Sequence, residues 1–494
     1  MSAAPTVPWP GHPRALAPLA AIRAARKAGP AEVVDDTGRP VPFGPARFAY
    51  EALRTAWHTL LRGSLTGLAR LGTGRRAAAM QAPQPGPGPV VLVLPVLPDL
   101  SHTFVYREVL AVLRRRPDWR VVVLARNDAA PRHAEAEALA GRATWLGRDG
   151  VTRAWWRACS WLLRRRGRAF VTLFRAEGGS AGELFGKLPL RDPRHPGNAF
   201  LLADLLRPLR PRHVHVYAST WPANVALGAS MLLGAPFSIS SYVDFEFPYS
   251  HRWLATKVAR ATFFRVVTAC CQARLCARPE LATNPPPTAR VPVIYLGLDL
   301  DHWRDEVAPP GRGVLISAAR LVPKKGLQFV PPALAVLRRR GVACRWRVLG
   351  DGPGLGPLRA DCQRLGVADL VDFLGPVDSG TVRQELLRAD LAVLPCIVAD
   401  DGERDGIPIF LVEAMALGVP VVTTPISGIP ELIVDGDTGF LAAPGSADAL
   451  AQTLTRALQD PAAAAGVGRR GRDAVHARLD VDDAARQLVE AIER

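Results

Sequence analysis

The feature that most constrains this chain is the alternation of short apolar runs with helical segments after residue 313. Each apolar run has the length of a buried strand. The runs are VLIS at 314–317, WRVLG at 346–350, VDFLG at 371–375, LAVLP at 391–395 and VPVVTT at 419–424. Strands that alternate with helices favour a parallel, doubly wound sheet. The sequence therefore predicts a Rossmann-like lobe at 313–478, followed by a C-terminal helix at 479–494.

The same alternation, less regular, runs through residues 90–300. VVLVL at 90–94 and RVVVLA at 120–125 flank a helical segment at 105–116, and HVHVYA and PFSISSYV supply later strands. A length of 494 residues is more than one ordinary core needs. We therefore expect an α/β fold with two lobes, joined by a polar hinge at 301–312.

Residues 1–89 have the composition of an extension and linker rather than of a lobe. They are rich in alanine, arginine and proline, contain one helical pattern at 47–70, and end in QAPQPGPGP, which favours an extended tether. The N-terminus lacks the unbroken apolar stretch of a signal peptide, and the seven cysteines are scattered without a disulfide pattern. We therefore expect a cytoplasmic protein in a reducing compartment.

Net charge differs sharply between the two halves of the chain. The whole chain carries +17, and residues 313–494 hold 20 Lys+Arg against 23 Asp+Glu, which leaves 42 against 22 for the first 312 residues. A bias of base composition towards arginine would act on both halves alike. The contrast therefore predicts an anionic partner for the N-terminal half, either a membrane surface or a nucleic acid.

A helical pattern at 151–170 bears on the choice of partner. Arg153, Arg157, Arg164 and Arg168 fall on one side, opposite an apolar side that holds two tryptophans. Such a helix either docks on anionic lipid or packs on its lobe as an ordinary surface helix. We expect peripheral attachment to the inner face of the plasma membrane, and no nucleic-acid partner.

Two cations follow the first strand of the second lobe. Arg320 and Lys325 stand near a predicted helix start, in the segment AARLVPKKG after VLIS. In a doubly wound sheet, ligands bind beyond the carboxyl ends of the strands. A guanidinium and an ammonium at this place suit a diphosphate without a metal ion, although two solvated surface cations would give the same pattern.

Acidic residues follow a later strand of the same lobe. The loop after LAVLP holds four acids, the last of them Asp405, and Glu413 lies in the helix that follows. Pro408 suits the first helical position, so we expect Asp405 at the cap and the Gly406 and Ile407 amides facing an anion. By spacing alone, such a carboxylate pair has many structural uses.

Two further turns complete the predicted wall of the donor site. Gly352, in the turn DGPG, lets backbone amides approach a ligand closely, and Ser427 lies in the turn after VPVVTT. Neither turn alone indicates a function.

The motifs together resemble the retaining GT-B glycosyltransferases of family four, especially the exopolysaccharide and colanic-acid type. The most specific stretch is DGERDGIPIFLVEAMALGVPVVTTPISGIPELIVDGDTGFL at 401–441. VIYLGLDLDHW, ARLVPKKG, VLGDGPG, VDFLGPV and ADLAVLP also match in the family's order, so the resemblance covers 90–494. It implies the GT-B fold, in which two Rossmann-like, doubly wound lobes face each other across a cleft.

The resemblance assigns roles to residues on the donor side. It makes Arg320 and Lys325 the diphosphate clamp, Asp405 the first acid of the E-x7-E pattern, and Glu413 the second acid, which binds ribose. Asp405 is one methylene shorter than the commoner glutamate. The catalytic candidates are thus Arg320, Lys325 and Asp405. The donor-binding candidates are Glu413, Gly406, Ile407, Gly352 and Ser427.

The family pattern is altered on the acceptor side. PDLSHTFVYREVL at 98–110 resembles the family's first loop and helix and contains His102. Where the family usually has a histidine, SISSYVDFEF has Ser241 or Tyr242, followed by Asp244. His102, Tyr242 and Asp244 are therefore the acceptor-side candidates.

The resemblance implies transfer of a sugar, with retention, from a nucleotide-diphosphate sugar to a lipid-linked glycan or polysaccharide acceptor in cell-surface or exopolysaccharide biosynthesis. It also implies that neither a metal ion nor another cofactor is needed. Two alternatives stay open: a nucleotide-sugar epimerase or hydrolase of related two-lobed form, and a non-catalytic, membrane-bound assembly protein with the same fold.

Overall fold

The structure is a computed structural model. It describes residues 7–8, 33–34, 83–99, 102–127, 134–146, 160–161, 164–176, 196–244, 246–249, 251–304 and 313–494. The predicted helix at 47–70 lies outside the described residues, as do residues 305–312 of the predicted hinge. The chain forms two compact units, and one of them, made of 83–146, 209–230 and 235–494, holds both six-stranded sheets.

The N-terminal sheet is built from the apolar runs of the first predicted lobe. Its strands are β1 (Val90–Leu97), β2 (Arg120–Arg126), β3 (Ala143–Trp145), β4 (His213–Val216), β5 (Phe237–Ser241) and β6 (Phe264–Val266). All neighbouring strands are parallel, in the spatial order β3-β2-β1-β4-β5-β6. The central strands β1 and β4 are buried at almost every position, as expected of a parallel sheet covered on both faces.

The C-terminal sheet repeats this arrangement. Its strands are β7 (Val314–Ala318), β8 (Arg345–Leu349), β9 (Val371–Gly375), β10 (Leu391–Val393), β11 (Val421–Thr423) and β12 (Phe440–Leu441). They are parallel, in the order β9-β8-β7-β10-β11-β12. The order reverses between β7 and β10, and such a switch point is where doubly wound sheets bind ligands. Arg320 and Lys325 follow β7, and Asp405 follows β10.

Helices connect the strands in both lobes. In the first part of the chain they are α1 (Thr103–Arg115), α2 (Ala134–Ala140), α3 (Arg165–Ala176), α4 (Asn198–Leu206), α5 (Trp221–Leu233), α6 (Glu246–Tyr249), α7 (His251–Arg260) and α8 (Ala269–Cys276). In the second part they are α9 (Val330–Arg339), α10 (Leu355–Arg364), α11 (Ser379–Leu386), α12 (Ile409–Ala416), α13 (Ala447–Gln459), α14 (Pro461–Arg478) and α15 (Val481–Glu493).

The last helix, α15, packs on the N-terminal lobe. Its apolar face joins the core that α1 forms with the first sheet, and Arg114 on α1 donates to Asp482 at 2.9 Å. Just before this helix, the Leu298 amide donates to the Leu479 carbonyl at 2.7 Å, and the Val481 amide donates to the Leu298 carbonyl at 3.0 Å. The last helix therefore packs on the N-terminal lobe, although it follows the C-terminal lobe in the sequence.

A network of polar side chains lies inside the N-terminal lobe. Arg265 on β6 donates to both carboxylate oxygens of Glu108 on α1, at 2.6 and 2.7 Å, and both side chains are almost fully buried. His215 on β4 bridges the hydroxyls of Ser238 and Ser240 on β5, at 2.8 and 2.9 Å. Because every one of these groups finds a partner, the network links three strands and a helix without leaving these buried charges unpaired.

The other compact unit includes residues 147–208 and 231–234. In it α3 and α4 meet through Phe170 and Phe200, whose ring centroids are 5.5 Å apart in an edge-to-face arrangement. Most of the predicted basic helix at 151–170 lies outside the described residues, including Arg153 and Arg157. No helix in the described part of the chain is both long and apolar enough to cross a bilayer.

Candidate functional site

The loop after β7 is held tightly against the loop after β10. Gly326 has a left-handed backbone, with φ of 70°, and a Cβ there would lie 1.7 Å from the Pro395 carbonyl oxygen. The Ile397 amide donates to the Lys324 carbonyl at 3.0 Å. Only glycine permits this approach, and it sets Lys325 beside the acidic loop that the sequence singled out.

The structure brings the catalytic candidates Lys325 and Asp405 together. Lys325 Nζ lies 2.7 Å from Asp405 Oδ2, and Lys324 Nζ lies 3.4 Å from Oδ1 of the same carboxylate and 3.7 Å from Glu403. Lys325 and Asp405 are mostly buried, with 17% and 13% of their side chains exposed. Asp405 therefore holds both ammonium groups in place. The sequence did not predict that Lys324 would be one of them.

Arg320 differs from the lysines in being free to meet a ligand. It is exposed and forms no ion pair with any other described residue. Its backbone is fixed from the opposite side, because the Leu321 amide donates to the Asp351 carbonyl at 2.9 Å and the Gly354 amide donates to the Leu321 carbonyl at 2.9 Å. A guanidinium on a fixed backbone, with no competing carboxylate, is suited to bidentate contact with phosphate oxygens.

Gly352 has a packing reason to be glycine. With φ of 154° it lies so close to Leu321 that a Cβ would be 2.6 Å from the Leu321 carbonyl oxygen. This contact supports the backbone beside Arg320. The close approach at Gly352 is thus to a neighbouring loop of the protein, and the role of its turn in donor binding stays a prediction.

The start of α12 differs from the prediction. Pro408 is the N-cap in an extended conformation, with φ of −62° and ψ of 128°, and the helix begins at Ile409. The prediction that Pro408 is the first helical residue is wrong by one position, and Asp405 lies three residues before the cap instead of at it. Proline fixes φ but not ψ. The extended ψ of Pro408 keeps this residue outside the helix, so the helix begins one residue later.

Glu413 lies on α12 and has a partner that the sequence did not suggest. Its Oε1 lies 3.5 Å from NH1 of Arg107 on α1, and each side chain is 12% exposed. Burial and, less strongly, the charge of Glu135 on α2 raise the pKa of Glu413 to about 7, against the opposing effect of Arg107. The only signal for Arg107 was its place in the first-helix motif next to Glu108.

The turn that holds Ser427 contacts the N-terminal lobe. Ser427 has a left-handed backbone, with φ of 52°, and a Cβ on Gly428 would lie 2.5 Å from Thr268 Cγ2. Slightly further on, Glu431 accepts hydrogen bonds from the Ala269 amide at 2.8 Å, the Cys270 amide at 2.7 Å and the Tyr295 hydroxyl at 2.7 Å. A carboxylate of the C-terminal lobe thus occupies the N-terminus of α8, where amide groups are unpaired within the helix.

The acceptor-side candidates lie in different surroundings. His102 Nδ1 lies 3.1 Å from Asp99 Oδ2. Tyr242 packs edge-on against Phe104, with ring centroids 5.1 Å apart, and burial raises the pKa of its hydroxyl, which finds no hydrogen-bond partner among the described residues. A Cβ on Gly406 would lie 3.3 Å from the Tyr242 carbonyl oxygen, so this candidate meets the donor-side loop through its backbone.

Asp244 is engaged by arginines from both lobes. Arg404 donates to its carboxylate at 3.0, 2.9 and 2.5 Å, and Arg274 Nε on α8 lies 3.1 Å away. The aspartate is almost fully buried. The sequence singled out Asp244 but gave no indication of Arg404, its partner 160 residues away.

Metal-ligating side chains are not clustered in this region. Among the described residues, no three His, Cys, Asp or Glu side chains are grouped closely enough to hold a metal ion. Within the described part of the chain, the candidate side chains are the exposed guanidinium of Arg320, two lysines paired with acids, and the buried Glu413. Cationic groups of this kind can bind an anion, and a carboxylate can accept hydrogen bonds from hydroxyl groups.

Comparison with known families identifies the C-terminal lobe. Residues 301–474 match the family model described as "Glycosyl transferases group 1". These residues are a group 1 glycosyltransferase domain. The match confirms the family resemblance expected from the motifs, and the group 1 domain contains every donor-side candidate from Arg320 to Ser427.

Curated relatives match about two fifths of the chain. The putative colanic acid biosynthesis glycosyltransferase WcaL of Escherichia coli K12 is 39% identical over 192 residues, 38% of this chain and 47% of that protein. The amylovoran biosynthesis glycosyltransferase AmsK of Erwinia amylovora is 34% identical over 212 residues, 42% of this chain and 52% of that protein. The chain thus spans about half the length of the curated relatives that it matches.

Solved structures extend the likeness to both lobes. Anabaena HepE, in complex with UDP and glucose, superposes with a TM-score of 0.60 at 18% identity, over 82% of this chain and 99% of that one. The sucrose-phosphate synthase of Thermosynechococcus elongatus gives 0.60 at 16% identity, over 82% and 98%. The coverage reaches beyond the group 1 domain, and the predicted GT-B fold of two Rossmann-like lobes is confirmed.

Proposed function

We propose that this protein transfers a sugar from a nucleotide-diphosphate sugar to a lipid-linked glycan or polysaccharide acceptor. The observation that carries the proposal is that Arg320, Lys325 and Asp405 follow the two strands at the switch point of the C-terminal sheet, with Lys325 Nζ 2.7 Å from Asp405 Oδ2. Colanic acid and amylovoran biosynthesis, named for two relatives, support a role in cell-surface or exopolysaccharide biosynthesis. The UDP and glucose bound to HepE support a nucleotide sugar as the donor.

In the proposed reaction, the bond from the anomeric carbon to the diphosphate breaks as the bond to the acceptor oxygen forms on the same face. The acceptor hydroxyl passes its proton to the leaving diphosphate, so no strong protein base is needed and configuration is retained. Arg320 and Lys325 stabilise the negative charge that develops on the diphosphate, which removes the need for a metal ion or other cofactor. Asp405 keeps Lys325 in position, and Glu413 accepts hydrogen bonds from the ribose hydroxyls.

The acceptor is proposed to be reached at a membrane. The first 312 residues carry 42 Lys+Arg against 22 Asp+Glu, and such an excess attracts anionic lipid. We propose a peripheral position on the inner, cytoplasmic face of the plasma membrane. Anionic vesicles should bind the protein and release it with added salt, because surface charges are screened within about 10 Å at 0.1 M salt. Equal binding to neutral vesicles would contradict the electrostatic account.

The experiment that tests the reaction begins with a donor screen. The full chain is heated with UDP-, GDP- and ADP-sugars, and the donor that raises Tm most is then supplied in radiolabelled form together with a bacterial lipid extract. We expect the label to move into the lipid-linked fraction, and only when the extract is present. Free or epimerised sugar formed without the extract would support a hydrolase or epimerase, and donor binding without any turnover would support an assembly protein.

A further inference from the structure

One contact joins the proposed ribose ligand to the opposite lobe. Arg107 on α1 places NH1 3.5 Å from Glu413 Oε1, while its Nε donates to Glu135 Oε1 on α2 at 2.9 Å. All three side chains are mostly buried, with 12%, 12% and 24% exposed. The guanidinium therefore lies between two carboxylates, one from each lobe.

We propose that Arg107 is a positioning residue for the donor nucleotide: it favours the ionised form of the Glu413 carboxylate and orients it, so that Glu413 accepts hydrogen bonds from the donor's ribose hydroxyls. The inference rests on the proposed function, since it takes Glu413 as the ribose ligand. Arg107 itself touches Glu413 and not the reacting atoms.

The charge state of Glu413 decides what it can bind. An ionised carboxylate only accepts hydrogen bonds and offers about four lone-pair directions, whereas the protonated acid must donate one hydrogen and loses part of its accepting capacity. Hydrogen bonds to a charged acceptor are also roughly twice as strong as neutral ones. With Oε1 turned towards Arg107, Oε2 of the ionised form is left to accept from the hydroxyls of the ribose.

The surroundings of Glu413 oppose ionisation except for Arg107. Burial raises its pKa to about 7, and Glu135 acts in the same direction, while Arg107 acts against both. On α14, Arg472 and His476 lie near Gly418 and Ala416 at the far end of α12, about one helical turn from Glu413. Without Arg107, the remaining influences on this pKa all raise it, so the carboxyl group would stay protonated to higher pH.

The sign of the pH dependence follows from these charges. Ribose binding needs the ionised form, so nucleotide affinity should rise with pH through about 7 in the natural protein. Removing the positive charge of Arg107 should move this rise to higher pH. Removing the negative charge of Glu135 should move it to lower pH, because the acid that raises the pKa is gone and Arg107 is free to turn towards Glu413.

The test compares Arg107→Met, Glu135→Gln and Glu413→Gln in the full chain. Binding of UDP, GDP and ADP is measured by calorimetry from pH 5.5 to 9, and each variant is expressed as a ratio to the natural protein so that titration of the nucleotide's own phosphate cancels. If the pKa rises by one unit in Arg107→Met, affinity at pH 7 falls about fivefold and recovers by about pH 9. Glu135→Gln should bind more tightly below pH 7, and Glu413→Gln should bind weakly without the rise.

A second measurement reads the protonation of Glu413 without any nucleotide. Infrared difference spectra of the free proteins at pH 7, with Glu413→Gln as the reference, isolate the carbonyl band of the protonated Glu413 carboxyl group. The band should grow in Arg107→Met and shrink in Glu135→Gln. If no nucleotide binds, the proposed function fails while this measurement still decides whether Arg107 controls the charge of Glu413.

If the pH profiles of Arg107→Met and Glu135→Gln shift in opposite directions, a merely structural role of Arg107 is excluded, because both substitutions break the same contact between Arg107 and Glu135. Circular dichroism melting checks that both variants fold. An unchanged infrared band in Arg107→Met, or a pH profile parallel to that of the natural protein, would overturn the proposal.

Discussion

The two sheets share one strand order but use their charged residues in opposite ways. In the C-terminal lobe, Lys325 and Asp405 lie beyond the strand ends, partly open to solvent, and Arg320, which follows the same strand as Lys325, is exposed. In the N-terminal lobe, Glu108 and Arg265 lie inside, with 1% and 0% of their side chains exposed. The same topology thus places charge at a ligand site in one lobe and within the core of the other.

The difference lies in what satisfies each charge. The N-terminal pair is satisfied by the protein alone, because two hydrogen bonds join Glu108 to Arg265 and Arg265 Nε also donates to the Ile294 carbonyl at 3.0 Å. At the C-terminal site, Arg320 has no ion-pair partner among the described residues. We therefore expect the first pair to matter for stability and the second site for activity.

The largest effect is expected from Glu108→Gln. Removing one partner of a buried pair leaves the other charge unpaired, which costs about 3–5 kcal/mol of unfolding free energy. Urea unfolding measures this loss. Arg114→Gln on the same helix is the matched control, because its pair with Asp482 is about half exposed and should be worth no more than about 1 kcal/mol. Equal losses in the two variants would remove the distinction between buried and exposed charge in this lobe.

Arg320→Ala should have the next largest effect, on turnover and not on stability. Loss of one preorganised donor to a developing negative charge typically lowers kcat by about 10² to 10³-fold. Transfer of labelled sugar and urea unfolding are measured side by side. Arg364→Ala provides the control, since its pair with Asp361 is exposed at the surface of the same lobe. If Arg320→Ala lowered the free energy of unfolding by as much as it raised the activation free energy of transfer, the comparison between the lobes would fail.

The smallest effect on stability is expected at the contact between the lobes, where Asp244 meets an arginine from each lobe. A double-mutant cycle with Asp244→Asn and Arg404→Gln should give a coupling of about 1–3 kcal/mol in unfolding free energy. The same cycle with Arg274→Gln, whose side chain is 48% exposed, should give no more than about 1 kcal/mol. If the Arg274 cycle gave the larger coupling energy, Asp244 would be held mainly by its own lobe and not by the contact with Arg404 of the other lobe.

The C-terminal lobe was easier to predict than the N-terminal one for a physical reason. Its strands are short apolar runs, and its donor-side candidates follow those runs directly, so the rule that ligands bind at strand ends locates them. The placement of Lys325 beside Asp405 depends on loops that glycine fixes locally, at Gly326. The predicted start of α12 was wrong by one residue, because the sequence does not set the ψ of Pro408, and its extended value places this residue before the helix.

Partners across the lobes were beyond prediction. Arg107 and Glu413 are more than 300 residues apart, as their numbers show, and no periodicity relates them. Asp244 was singled out as an acceptor-side candidate because it follows the segment where the family usually has a histidine, but its partner Arg404 looked like one more residue of a charged loop. A pattern within one segment reports local structure, while contacts of this kind are set by how two separately folded lobes meet.

The return of the chain at α15 has a mechanical consequence. The chain links the two lobes twice, and the hydrogen bonds of Leu298 with Leu479 and Val481 hold the two crossings side by side. Two adjacent connections resist twisting and sliding more than a single tether does, so bending about them is the easiest motion left to the lobes. Because the contacts of Glu413, Asp244 and Glu431 with their partners all cross between the lobes, such bending would change all three together.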